Sequence, residues 1–155
     1  MRKLKVLTLL TIGMIFTGCA IAADDDDDER AYFDGRSASD ANVPPFSGAV
    51  LANDTLYISG SLGLVDGKVP EDPADEARAV MEAIKAQVEG AGMTMDDIVF
   101  VQIHCSDVSH YAAFNGVYRT YFTKEYPARA FLGSGNLLFG ARFEVLATAV
   151  KRPAD

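Results

Sequence analysis

The sequence predicts an α+β protein in which one β-sheet packs against two α-helices as a two-layer sandwich. Three observations predict this class. Strand and helix patterns follow one another in the order β-β-α-β-α-β-β, two segments carry apolar residues at helical spacing, and the final segment alternates between apolar and polar residues. The chain has 155 residues, 49% of them hydrophobic, which is enough for one domain with a core. It contains no internal repeat and no glycine-rich phosphate loop.

The N-terminus has the layout of an export signal. Three basic residues among the first five precede an apolar run at 6–16, which is shorter than the roughly 20 residues of a membrane-spanning helix. Residues 1–19 are therefore predicted to be a signal peptide whose end resembles a bacterial lipobox, with Cys19 as the lipidation site. The alternative is cleavage by ordinary signal peptidase after the Ala-Ile-Ala sequence at 20–22. Both alternatives predict export, and lipidation predicts a periplasmic or membrane-anchored lipoprotein.

An unbroken run of six acidic residues at 24–29 follows the signal. Like charges at this density repel one another, so residues 20–42 are predicted to be an extended, disordered acidic tether, and the domain is placed at 43–153. Loss of the signal removes three of the 14 basic residues and none of the 22 acidic ones, so the mature chain is more acidic than the full-length net charge of −8. No nucleic-acid partner is expected, and membrane contact is expected only through the lipid anchor.

The first half of the domain reads as a hairpin followed by a helix. Turn-forming residues separate apolar runs at 49–52 and 56–59, and the small residues at 60–63 predict a loop. Asp72 followed by proline begins the helix, because aspartate caps free backbone N–H groups. Its apolar stripe consists of Ala77, Val80, Met81, Ile84 and Val88. Its polar side consists of Glu76, Arg78, Glu82, Lys85 and Glu89.

The second half adds one more helix and three strands. The strands are predicted at 98–105, 128–132 and 141–150. Asp107 or Ser109 caps a helix that runs to about Phe122, and its tyrosines, including Tyr118, are predicted to pack. On the last strand, alternate residues from Phe143 onward form one apolar face.

The cysteines and histidines predict neither a disulfide nor a metal site. Cys105 stands alone if Cys19 is lipidated or removed, and it is predicted to be a small buried residue, with a reactive thiol as the alternative. His104 and His110 lie six residues apart without the spacing of a zinc site. His104 is expected on the opposite sheet face from Cys105.

Short segments throughout the domain resemble the RidA/YjgF family of reactive-intermediate deaminases, formerly the endoribonuclease L-PSP family. They lie at 45–50, 56–60, 88–92, 95–99, 114–118, 121–122, 126–129 and 147–150. The resemblance implies a mixed sheet on two helices of the YjgF/chorismate-mutase-like kind, in a homotrimer with ligand clefts between subunits. It also implies hydrolysis of reactive 2-imino or enamine acids to 2-oxo acids and ammonia, with no cofactor or metal.

The same resemblance nominates the site residues. Arg129, in the Pro-Ala-Arg context, matches the substrate-binding arginine, and a guanidinium can fork onto the carboxylate of an imino acid. Asn115 matches a family asparagine that bonds the substrate or braces the cleft, and the alternative is a surface helix residue. Ser59 and Gly60 match residues that line the cleft, and the alternative is a simple turn.

Three positions depart from the family pattern. Phe46 replaces a tyrosine, Phe131 replaces a common cysteine, and Leu146 stands where active deaminases have a glutamate that orients water. A leucine cannot accept a proton. Glu144 lies two residues earlier, on the same face of the strand, and is the candidate substitute, the alternative being a strand-end surface glutamate.

Three functions remain open at this stage. The first is an exported imine deaminase that uses Arg129 and Asn115. The second is a non-catalytic trimer that binds a small carboxylate or a partner protein, which the apolar Leu146 and Phe46 favour. The third is a hydrolase of another C–N bond with Glu144 as the general base.

Overall fold

A computed structural model describes residues 30–34, 39 and 41–152. The strands are β1 (Arg30–Phe33), β2 (Ala49–Ala52), β3 (Thr55–Leu62), β4 (Ile98–Cys105), β5 (Ala128–Gly133) and β6 (Phe143–Val150). The helices are α1 (Pro73–Gly90) and α2 (Tyr111–Tyr118). The predicted signal peptide, Cys19 and the acidic run at 24–29 lie outside the described residues.

The strands form one mixed sheet in the order β1-β2-β3-β6-β4-β5. Every neighbouring pair is antiparallel except β4 and β5, which run parallel. Both helices lie against one face of this sheet, where α1 contacts β3, β6 and α2. The predicted two-layer α+β sandwich is therefore confirmed, and β5 forms one edge of the sheet.

The core lies between the sheet and the helices. On β6 the side chains of Phe143, Val145, Ala147 and Ala149 are all buried, which confirms the predicted alternation. Phe114 of α2 meets Phe143 with ring centroids 4.9 Å apart. Cys105 is also fully buried, and its thiol donates to the Asp107 carbonyl at 3.0 Å, as expected for a small residue of the core. Burial raises the pKa of that thiol.

Helix α1 begins where the sequence predicts, but one of its polar residues is not on the surface. Asp72 caps the helix by accepting from the Ala74 N–H at 2.7 Å. Glu76, assigned above to the polar side of α1, is fully buried, so that assignment is wrong. Its carboxylate accepts from the backbone N–H groups of Arg142 (2.6 Å) and Phe143 (3.1 Å) and pairs with the Arg142 guanidinium at 2.7 Å.

Two segments predicted to be irregular are strands. The tether was expected to run through residue 42, yet β1 pairs with β2, so that domain boundary is wrong for Arg30–Phe33. The predicted loop at 60–63 is largely the second half of β3, which continues along β6 through a register shift between Ile58 and Ser61. A shift of this kind is a β-bulge, which keeps a glycine-containing strand in the sheet while turning its side chains.

The predicted second helix is shorter than expected. Asp107 caps a 3₁₀ turn at Val108–His110 by accepting from the Ser109 N–H at 2.8 Å, and α2 follows. A further 3₁₀ turn, Arg119–Tyr121, takes the chain to Phe122. The apolar side chains of this segment still lie in the core, because Phe114, Val117 and Tyr118 are buried and Phe114 packs against Phe143 of β6.

The other face of the sheet, called the outer face below, carries no described helix. It presents alternate residues of β6 (Glu144, Leu146, Thr148 and Val150) and their cross-strand neighbours. Tyr57, Phe100, Leu132 and Val150 are between 37% and 55% exposed there. A cluster of exposed apolar side chains on one face is typical of a protein–protein contact.

Candidate active site

The Arg129 guanidinium is held between strand β5 and helix α2. Arg129 lies opposite Val101 in the β4–β5 register, so its side chain emerges on the helix side of the sheet. Its Nη1 donates to Asn115 Oδ1 at 2.8 Å, and its Nη2 lies 3.4 Å from the Tyr111 hydroxyl. The predicted pair of Arg129 and Asn115 is therefore brought together, within one protomer.

The aromatic face of Tyr118 packs against the same guanidinium. The Arg129 Cζ atom lies 4.7 Å from the centroid of the Tyr118 ring, a distance that favours a cation–π contact. Tyr111, Asn115 and Tyr118 are spaced by four and three residues, so they share one face of α2. That spacing was visible in the sequence, where the tyrosines were assigned to packing alone.

No described acidic side chain neutralises Arg129. Its hydrogen-bond partners are an amide and a phenol, both uncharged, and the ion pairs in the described part of the chain involve other residues. The side chain is half-buried. A preorganised cation without an acidic partner is suited to bind an anionic group from outside.

A cleft of about 350 Å³ adjoins this guanidinium. Besides the residues already described, Arg119, Tyr126 and Pro127 line it. The lining therefore holds two arginines and three tyrosines and no acidic residue. This composition matches an anionic ligand with an apolar portion that lies against the rings.

The Tyr118 hydroxyl is buried without a hydrogen-bond partner in the described structure. Burial raises the pKa of this phenol to about 12, an effect that the nearby Arg129 partly offsets. The hydroxyl therefore remains protonated at neutral pH and keeps a hydrogen to donate. A buried polar group without a partner is uncommon in folded proteins and costs stability.

Phe131 is not among the residues that line the cleft, and its ring packs behind Tyr111. Its side chain lies on the helix side of β5, with its ring 4.9 Å from that of Tyr111 and 5.7 Å from that of Phe114. Both contacts are edge-to-face, an arrangement that stabilises aromatic pairs. Phe131 thus holds Tyr111 beside Arg129, and it is only partly exposed.

The other predicted site residues lie elsewhere in the protomer. Ser59 and Gly60 belong to the bulge of β3, which β6 and β4 separate from β5. The Ser59 hydroxyl donates to the Ser47 carbonyl at 2.7 Å and so fixes the loop that carries Phe46. Phe46 itself is 56% exposed. Three strand spacings correspond to roughly 14 Å, so these residues do not reach Arg129 in the same chain.

Glu144 and Leu146 share the outer face, as the strand period predicts. The Glu144 carboxylate lies directly against Gly60, so closely that a methyl group added at Gly60 would collide with it. Since Arg129 emerges on the helix side, the sheet itself separates Glu144 from Arg129 within a protomer. The predicted residues thus form two groups, an arginine group at the β5 edge and an acid group around Gly60.

Among the described residues, no cluster of three or more His, Cys, Asp or Glu side chains is arranged to hold a metal ion. None of the described helices has the length and apolar character needed to cross a membrane.

Fold and site together define a two-layer α+β protein with a cleft at a sheet edge that is lined by arginine and tyrosine side chains. The family model described as "Endoribonuclease L-PSP" matches residues 37–151. The 2-iminobutanoate/2-iminopropanoate deaminase of Capra hircus is 35% identical over 116 residues, which cover 73% of this chain and 85% of that protein. The deaminase of the same name from Bos taurus matches equally well.

Comparison with solved structures indicates the same family. The YjgF gene product of E. coli matches with a TM-score of 0.68 and 31% identity, over 72% of this chain and 92% of that one. RidA from an Antarctic Psychrobacter matches with a TM-score of 0.67 and 33% identity, over 72% and 92%. E. coli TdcF with bound serine has a TM-score of 0.68 and 28% identity, over 71% and 91%. The chain therefore belongs to the RidA/YjgF family.

Proposed function

We propose that this protein hydrolyses a reactive 2-imino acid, or its enamine, to the 2-oxo acid and ammonia. The observation that carries the proposal is the Arg129 guanidinium, fixed by Asn115 and Tyr118 beside an open cleft and without a described acidic partner. A forked contact of this guanidinium with the substrate carboxylate contributes about 1.5–3 kcal/mol. The relatives named as 2-iminobutanoate/2-iminopropanoate deaminases support the same reaction class.

The complete site is proposed to form between copies of the chain in a homotrimer. The arginine group and the acid group lie on opposite sides of one sheet, so a single protomer cannot present both to one small substrate. The exposed apolar residues of the outer face supply a surface for a second copy. In this arrangement the β5 edge of one protomer faces the outer face of the next, around Gly60.

Glu144 is proposed as the general base. It stands in for the glutamate that Leu146 replaces, and its carboxylate already lies at Gly60, one of the predicted substrate-lining residues. In the reaction the carboxylate takes a proton from water as the water oxygen attacks the C=N carbon. The carboxylic acid passes this proton to the imine nitrogen, which gives the carbinolamine. The carbinolamine hydroxyl then loses its proton to the carboxylate, which delivers it to the amino group as the C–N bond breaks, and ammonia and the 2-oxo acid are released.

The assay generates 2-iminopropionate in situ with an amino-acid oxidase and follows its decay. We expect the protein to accelerate the decay and Arg129→Ala to abolish most of that acceleration, because the substrate loses its carboxylate partner. Lys85→Ala serves as the control, since Lys85 takes part only in an exposed ion pair with Glu89 at 3.8 Å. Equal rates for the wild type and Arg129→Ala would refute the proposal.

The competing function is a carboxylate-binding trimer without catalysis. It is favoured by Leu146 and Phe46, which place apolar groups where the family has polar ones. For this function we expect no acceleration in the same assay, together with calorimetric binding of a 2-oxo acid that disappears in Arg129→Ala.

We also propose that the domain works outside the cytoplasm, anchored by lipid on Cys19. The basic start, the short apolar run and the lipobox-like sequence support this proposal. Mass spectrometry of the mature N-terminus is expected to find an acylated Cys19. A mature chain that begins after residue 22 would show instead a soluble secreted form.

A further inference from the structure

The cleft beside Arg129 contains a second guanidinium that the proposed reaction does not use. Arg119 lies one helical turn after Asn115, and its Nε donates to the Asn115 backbone carbonyl at 3.1 Å. Arg129 is bound by the side-chain oxygen of the same Asn115 at 2.8 Å. One residue thus anchors two cations, and both line the same cleft.

No described acid balances this pair of charges. The lining residues are neutral or basic, and neither arginine forms an ion pair with a described acidic side chain. The chain as a whole is acidic, with a net charge of −8, so two adjacent cations in one cleft run against its average composition. The anchoring hydrogen bond uses only Nε of Arg119, which leaves its terminal nitrogens available as donors.

The size and walls of the cleft fit a ligand longer than a three-carbon acid. At about 350 Å³ it falls within the roughly 300–1,000 Å³ of pockets that hold larger organic molecules. The rings of Tyr111, Tyr118 and Tyr126 form apolar walls beside the two guanidiniums. A short carbon chain with an acidic group at each end would satisfy both arginines and cover these rings.

We infer that the preferred substrates are 2-imino dicarboxylic acids. Arg129 binds the carboxylate next to the imine carbon, and the terminal nitrogens of Arg119 bind the distal carboxylate. This inference rests on the proposed function, because it assigns Arg129 the same role. It makes Arg119 a specificity-determining residue, without a part in bond breaking.

Calorimetry on the full-length protein tests the assignment with two product-like probes, 2-oxoglutarate and 2-oxobutanoate. We expect Arg119→Gln to weaken binding of 2-oxoglutarate about 3- to 10-fold, the range of a partly exposed charged contact, and to leave 2-oxobutanoate unchanged. Arg129→Gln should weaken both, and Lys85→Gln neither. Added salt should weaken the dicarboxylate more than the monocarboxylate.

The outcomes separate this inference from the proposed function. If Arg119→Gln affects the two probes equally, or neither, while Arg129→Gln weakens both, the dicarboxylate preference is wrong and the carboxylate site stands. If Arg129→Gln changes neither probe, the proposed function fails as well. Absence of 2-oxoglutarate binding to the wild type also overturns the inference. Arg119 is exposed, so its replacement is not expected to disturb folding.

Discussion

Replacement of Glu76 by alanine is expected to lower the free energy of unfolding by about 3–5 kcal/mol, the usual cost of removing one partner from a buried ion pair. The Glu76 carboxylate is fully buried and accepts hydrogen bonds from three donors. Two of them are backbone N–H groups at the start of β6, which would be left without a partner. The third is the Arg142 guanidinium, which also donates to the Pro70 carbonyl at 2.9 Å.

Chemical denaturation of Glu76→Ala and of Glu89→Ala provides the comparison. Glu89 lies on the same helix, is exposed, and pairs only with Lys85, so its replacement should cost less than about 0.5 kcal/mol. A loss below about 1 kcal/mol in Glu76→Ala would show that water replaces the carboxylate and that this pair does not hold β6.

Glu76 also shows why a helical pattern is insufficient to assign burial. Its neighbours in sequence follow the predicted stripe, and a glutamate next to that stripe is normally solvated. It is buried because Arg142 and the first N–H groups of β6, 66 residues away, meet it in the fold. A contact of that sequence separation leaves no local signal.

The elements that the sequence predicts correctly are those whose own residues favour a helix or a strand. Helix α1 has an aspartate cap, a proline at its first position and an apolar stripe. Strand β6 has a strict alternation that the sheet buries on one side. Strand β1 and the second half of β3 lack such patterns, since they exist only through pairing with β2 and β6.

The sequence predicted the central pair of the candidate site, but not the other residues that line its cleft and not its geometry. The resemblance nominated Arg129 and Asn115, and their side chains form a direct hydrogen bond. The resemblance also nominated Gly60, and the two-residue period of the strand placed Glu144 on the same face as Leu146. Neither observation indicates the sheet face on which the Arg129 side chain emerges. That depends on the β4–β5 register. Arg119 was not singled out, although its spacing of four from Asn115 placed both on one helix face.

Because Glu144 is the proposed general base, hydrolysis of the imine should require its carboxylate. We expect Glu144→Gln to lower the rate of 2-iminopropionate hydrolysis about 10²- to 10⁴-fold, because the amide cannot accept the proton from water. Binding of 2-oxobutanoate should remain, since Arg129 holds the carboxylate of this probe and the proposed role of Glu144 is only to take a proton from water. Glu125→Gln, at an exposed position outside both groups of site residues, is the matched control.

Leu146→Glu tests whether Glu144 has taken over the role of the family glutamate or whether the site has no general base. If Glu144 has replaced the family glutamate, a second acid two residues away on the same face should add little activity to the wild type and should partly rescue Glu144→Gln. If the site instead lacks its base, Leu146→Glu should raise the activity of the wild type while Glu144→Gln has no effect. The second pattern would assign Glu144 to the surface and leave Arg129 in a site that binds carboxylates without hydrolysing imines.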